Sequence, residues 1–261
     1  MFSYPTPLKF SEHGRLHVLE TNDYSHVRGE LLVPIVFDEM ADIAREYPIV
    51  FPDNESDMPY ALMGLEAGQN AYVGADGRWA ASYVPLAIRQ YPFGLRRQNA
   101  PEGEPDRFAV MFDPKSPHLS TTHGHPLFEP DGRLSEHMQQ RVKLLERLQQ
   151  RAPATRRSVQ ALRAAGVLVD RAVAIRVRGE MHQISGMQVI DEGGLNELDD
   201  TAFNALRKEG ALPLAYAHLL SWANFRQGPI GGKYPDLSAR AGGKDAPFLF
   251  DDGVLRFSGP T

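Results

Sequence analysis

The sequence predicts an α+β fold, with short antiparallel or mixed strands first and a helical C-terminal half. Three observations predict it. Short apolar runs bounded by Pro, Gly, Asn and Asp occupy the chain as far as Phe112, which is the pattern of strands and turns. Apolar residues at helical spacing dominate from Ser135 onward. The strands are short and mostly turn-connected, which favours antiparallel pairing over a doubly wound parallel sheet.

Each element has a local reason. Val27 to Phe37 is apolar and reads as a strand, with a break or edge at Pro34. Asp38 is placed to cap a helix over Glu39 to Glu46, with Met40, Ile43 and Ala44 on one side. Tyr47-Pro48-Ile49-Val50-Phe51 reads as a buried strand. Pro52 to Asp57 is a loop by composition. Tyr60 to Leu65 and Asn70 to Val73 read as strands joined through a turn at Gly68, and Ala75-Asp76-Gly77-Arg78 is a turn signal. Tyr83 to Gln90 is a short helix with Pro85 in its first turn.

Gln98 to Pro105 is a polar loop, Phe108 to Phe112 a strand, and Asp113 to Gly132 a long loop holding four prolines. Ser135 caps a helix whose stripe is Leu134, Met138, Val142, Leu145 and Leu148. Pro153 is expected to break it, with a second helix from Ala154 to Ala165 closed by Gly166. Val173, Ile175 and Val177 alternate as a half-buried strand that turns at Arg178-Gly179-Glu180 into Met181 to Ile190. The phase slips at Ser185-Gly186, where a bulge keeps Met187 and Val189 on the core face. Helices follow over Leu195 to Glu209 and Leu212 to Arg226. Residues 1–227 therefore read as one domain, and 228–261 as a Gly/Pro-rich linker ending in a short hairpin or tail.

Composition narrows the function. The 261 residues suffice for a core without staples. With no cysteine there is no disulfide, thiol nucleophile or Cys-ligated metal. The net charge of −5 argues against nucleic acid as a partner. Met1 to Pro7 lacks the basic and apolar regions of a signal peptide. The apolar stretch Gly210 to Phe225 is short for a membrane span and contains His218, Ser221 and Asn224, so a cytoplasmic protein is the default expectation.

No nucleophile elbow, phosphate-binding loop or His-Glu-x-x-His is present. His118, His123 and His125 cluster in one segment. His123 and His125 form a His-x-His pair that Glu129 or Asp131 could complete as a metal site. The Pro/Gly composition there favours a solvated loop instead. His218 is open to two readings: a core histidine bonded to a backbone carbonyl, or a binding-pocket residue acting with Tyr216 or Asn224. Ten basic residues lie from Arg141 to Arg178 against Glu146 and Asp170, and seven acidic ones from Phe37 to Asp57 against Arg45. A polarised molecule follows, with Arg156 and Arg157 candidates for docking a protein partner.

Several segments in order carry a family resemblance. They are Tyr47 to Phe51, Ala61-Leu62-Met63-Gly64-Leu65, Asp76-Gly77-Arg78-Trp79, Tyr83-Val84-Pro85, Tyr91-Pro92-Phe93, Val189 to Glu192 with Leu195, and Ala217-His218-Leu219-Leu220-Ser221. The set resembles the bacterial SapC family, named after a surface-layer gene cluster, over about residues 4 to 226. The resemblance implies an accessory protein of a surface-layer or envelope system that works by binding a protein or a small-molecule or peptide ligand. It transfers no catalytic residue and implies no cofactor. Tyr47, Tyr91, Tyr216, His218 and Asn224 are the ligand-binding candidates. The alternative is an enzyme of unrecognised class, metal-assisted, acting on a peptide or amino-acid side chain.

Overall fold

The computed structural model describes residues 5–52, 56–98, 107–177 and 180–234. The expected turn at Arg178-Gly179, the loop from Gln98 to Pro105 and the terminal hairpin lie wholly or mostly outside them. In chain order the strands and helices are β1 (Thr6–Pro7), α1 (Phe10–His13), β2 (His17–Val18), β3 (Leu32–Pro34), α2 (Met40–Glu46), β4 (Ile49–Pro52) and β5 (Tyr60–Leu62). They continue with α3 (Leu86–Arg89), β6 (Phe93–Gln98), β7 (Arg107–Phe112), β8 (Leu119–Ser120), β9 (His125–Pro126) and α4 (Glu136–Ala164). The last are β10 (Leu168–Val177), β11 (Glu180–Ile190), α5 (Glu192–Asn196), α6 (Asp200–Lys208), α7 (Ala211–Ser221), α8 (Asn224–Gln227) and α9 (Pro229–Lys233). The fold is α+β, as the strand and helix patterns predict.

Among the described residues three antiparallel sheets form. Their strand orders are β1-β7-β6, β10-β11-β4-β5-β3 and β8-β2-β9. The five-stranded sheet carries the main core, where Tyr47, Ile49, Phe51, Met63 and Tyr72 pack with Val159 and Leu162 of α4 and Leu214 of α7. A second core joins Val18, Phe93, Phe112 and Leu127 to Met138 and Leu145 at the other end of α4. That helix therefore spans both cores.

Local chemistry explains most boundaries. The Ser135 hydroxyl accepts Met138 N–H at 3.2 Å and caps α4. Arg171 pairs with Met187 and Val173 with Ile184, so Ser185 and Gly186 together face one residue. Gly186 takes φ +87°, and Met187 and Val189 stay buried, which is the expected bulge. Gly77 makes its turn at φ +82°, with Val73 and Trp79 bridged across it.

Several expectations are corrected. Pro153 does not break α4, which runs unbroken from Glu136 to Ala164. The helix loses one backbone bond there, but Leu145 on one side and Thr155, Ser158, Val159 and Leu162 on the other are buried, so packing holds both halves in line. Asp38 caps no helix. It lies in a 3₁₀ turn, Phe37–Glu39, and pairs with Arg147 and Arg151 at 3.0 and 3.1 Å. The apolar run from Val27 is a strand only over Leu32–Pro34. Asn70 to Val73 forms no strand, because the Asn70 side chain bonds Val27 O and Tyr72 N–H at 3.1 and 2.9 Å. The helix expected over Leu195 to Glu209 divides where the Asp199 carboxylate accepts Ala202 N–H at 2.7 Å. At the start of the expected linker, Pro229–Lys233 is a short helix with Ile230 and Tyr234 buried.

The expected polarity is also reduced. Arg147 and Arg151 meet Asp38, and Arg163 meets Asp57 at 3.8 Å, so the basic helix neutralises part of the acidic segment within one chain.

Candidate functional site

A cleft of about 890 Å³ opens between α4 and the loops packed beside it. That volume suits an organic ligand of moderate size. One wall is aromatic. The His26 ring stacks on Tyr91 with centroids 4.2 Å apart, and His118 meets both rings edge-on. The other wall is the second and third turns of α4, with Arg141, Lys143 and Arg147. Arg89, just after Ile88, adds a fourth cation, against Glu20 as the lining carboxylate.

The aromatic wall is held by neighbours far away in sequence. His118 Nε2 donates to Asp23 O at 3.2 Å, which leaves Nδ1 as the acceptor in the neutral ring. Tyr91 O–H donates to the buried Asp113 carboxylate at 3.4 Å. Both ring nitrogens of His26 are buried and meet no hydrogen-bond partner among the described residues. Burial, followed by the neighbouring His118, pulls the His26 pKa down to about 4. Burial also lowers His118 and raises the Tyr91 phenol. At neutral pH the wall therefore consists of uncharged rings.

The cationic wall is partly occupied. Arg141 Nε–H donates to His137 Nε2 at 3.1 Å, and its guanidinium lies 5.8 Å from the Phe93 ring centre. Burial lowers its pKa from the usual value. Arg147 is shared with Asp38. Neutral aromatic rings and cations lining one cleft can hold a planar or apolar body together with an anionic group.

The structure separates the residues singled out from sequence. Tyr91 lines the cleft. Tyr47 lies in the main core, where its hydroxyl donates to Tyr83 O and accepts Trp79 Nε1–H, and burial raises its pKa. Tyr216 is exposed on α7. Asn224 donates its amide to Ala44 O at 2.9 Å. Arg156 and Arg157 are exposed side by side on α4. His123 bonds its own neighbour, Thr122 Oγ1, at 2.8 Å. His125 instead meets Glu20 at 3.0 Å and stacks on His137.

His218 is fully enclosed, on the first of its two readings. Its Nδ1 donates to Ile49 O at 2.8 Å, and Nε2 accepts Ile190 N–H at 3.1 Å. Trp222 Nε1–H shares that lone pair at 3.0 Å. Among the described residues β4 and β11 pair directly only at Pro52 and Phe51, so the imidazole bridges the strands where they part. Ser221 seals the same point by accepting Ile49 N–H at 2.9 Å.

Sequence reading did not single out Glu20, His26, His137 or Arg141. Each stands in an unremarkable local context, and no spacing links them. The one usable signal was the Tyr91-Pro92-Phe93 segment, which carries an aromatic of the cleft wall.

Among the described residues, no helix is long and apolar enough to cross a membrane. No curated protein and no solved structure matches the chain. The SapC family model matches residues 8–227, well over half of the sequence, and includes the whole cleft. The chain belongs to the SapC family.

Proposed function

We propose that this protein is a cytoplasmic binding component that accessory-serves a bacterial surface-layer or envelope system, and that its cleft takes a small organic anion. The ligand class is a carboxylate or phosphate carried on a planar or apolar body. One observation carries the reading: Arg89, Arg141 and Lys143 line the same cleft as the His26–Tyr91–His118 cluster of rings. The envelope setting rests on the family resemblance, and the ligand class on the cleft.

Calorimetry with 1-naphthyl phosphate, a planar anion, tests the reading. The wild-type protein is expected to bind it at low salt and less tightly as salt screens the cations. Arg141→Gln should weaken binding about tenfold or more, since a hydrogen bond to a charged group contributes roughly 1.5–3 kcal/mol. Equal affinity in the variant and the wild type would refute the anion cleft. Conversion of the bound ligand to product would favour the enzyme alternative.

A further inference from the structure

A second constellation stands at the rim of the cleft. Glu20, His125 and His137 each offer one ligand atom, and the three atoms lie within 4.8 Å of one another. His125 Nε2 is 3.0 Å from Glu20 Oε1. The His125 and His137 rings stack in parallel, with centroids 4.2 Å apart and planes 3° apart. From these positions we infer that Glu20, His125 and His137 form a binding site for a divalent transition cation of the zinc type.

The three residues come from separate segments, and the fold fixes those segments to one another. β9 pairs with β2, Val18 opposite His125, and Glu20 lies two residues beyond Val18. Gly124 makes that approach possible at φ +99°, since a Cβ there would stand 2.4 Å from Val18 O. Ser135 links β9 to α4: its hydroxyl donates to Pro126 O at 2.6 Å while accepting Met138 N–H at 3.2 Å. His125 and His137 are thus held through one serine rather than by a free loop. The rings lie in parallel planes, so one imidazole turns about its side-chain bonds for both to reach one ion, while the anchored backbone keeps the two residues side by side.

The donor set selects the metal. Two imidazoles and a carboxylate suit zinc, cobalt or nickel, whereas magnesium and calcium prefer oxygen ligands throughout. Three protein ligands leave a position open to water or to an anionic group lodged in the cleft, which Glu20 and His137 also line. The site stands whether or not the cleft binds an organic anion.

Arg141 is the natural competitor. Its Nε–H now occupies the Nε2 lone pair of His137 at 3.1 Å. A cation bound through that nitrogen displaces the guanidinium, and one bound through the other nitrogen still feels its charge. Removing Arg141 therefore tightens metal binding while it weakens anion binding. A nonspecific surface histidine would show no such opposition.

The test is calorimetric titration of the untagged, chelator-stripped full chain with zinc, using magnesium as the control. One zinc per chain and no magnesium uptake are expected. Glu20→Gln and His137→Ala should each weaken zinc by more than the roughly 10–100-fold that even outer-shell partners cost. Glu20 is three-quarters exposed, with side-chain exposure of 74%, so its variant folds however His137→Ala is tolerated. His123→Ala should leave zinc binding unchanged, and Arg141→Gln should tighten it. Absence of zinc uptake, undiminished uptake in Glu20→Gln, or unchanged affinity in Arg141→Gln would each overturn the assignment. None of these outcomes depends on naphthyl phosphate, so the site and the anion cleft can fail separately.

Discussion

His218 in the main core and His26 in the cleft wall carry the same side chain under the same dominant force. Burial drives both imidazoles well below their ordinary pKa, to about 3 and about 4. Their hydrogen bonding is opposite. His218 uses both nitrogens, on Ile49 O and on Ile190 N–H. Among the described residues His26 finds a partner for neither, and it stacks on Tyr91. A depressed pKa thus reports enclosure in both places and does not by itself mark a site. Satisfaction of the polar atoms separates a scaffold histidine from one that is left with capacity for a ligand.

The comparison breaks most visibly at His218. His218→Ala removes the bridge between β4 and β11 and orphans a buried carbonyl and a buried amide. The expected cost is about 3–5 kcal/mol, summing roughly 1–3 kcal/mol for each unpaired group with the cavity left behind. Urea unfolding measures it, and naphthyl phosphate binding should be unaffected. A loss under about 1 kcal/mol would mean that the strands hold without the bridge. The pH sign follows from linkage. A folded pKa of about 3 against the ordinary 6.5 gives stability that is complete above pH 6.5 and is lost as pH falls toward 3. The variant should lack that part of the acid sensitivity.

A third buried group runs the other way and sharpens the point. Glu39 is 2% exposed, and one carboxylate oxygen accepts Leu86 N–H at 3.2 Å while the other meets no partner among the described residues. Burial outweighs the backbone donors and raises its pKa to about 7. The folded protein therefore holds this proton where the unfolded chain, at 4.5, has released it. Stability is full below pH 4.5 and falls as pH rises through about 7. In Glu39→Gln that dependence should vanish. Stability of the variant relative to wild type should rise by roughly 1–3 kcal/mol between pH 4 and pH 8. A pH-independent difference would show that the carboxylate is solvated.

What the sequence made legible follows the range of the interactions. The Asp76-Gly77 turn, the Ser135 cap, the Gly166 stop and the Ser185-Gly186 bulge each depend on a few adjacent residues, and each stands where its local chemistry placed it. Pro153 misled because local strain was outweighed by packing along both halves of α4. The charge asymmetry misled because Asp38 and Arg147, remote in sequence, neutralise each other. The cleft is farther still from local reading. His118 reaches Asp23, and His125 reaches Glu20, across about a hundred residues of chain. His218 could be read as a core residue from its apolar neighbours, but its strand-bridging role could not.

The smallest expected effect on stability is at His26. His26→Phe keeps a flat ring on Tyr91 and removes two nitrogens that meet no partner among the described residues. Replacing unsatisfied polar atoms by apolar ones of similar shape is close to neutral for folding. Stability should therefore stay within about 1 kcal/mol of wild type at pH 7, the range of a tolerated core exchange. It should exceed wild type as pH falls from 6.5 toward 4, because the phenyl ring has no proton to take up. The two nitrogens are enclosed, so they reach a ligand only where its entry shifts the wall; in that case naphthyl phosphate binding should fall about tenfold, the loss of one good hydrogen bond. Loss of binding with stability kept would place His26 in the site. Loss of stability with binding kept would make it a scaffold residue like His218, and the contrast between the two regions would disappear.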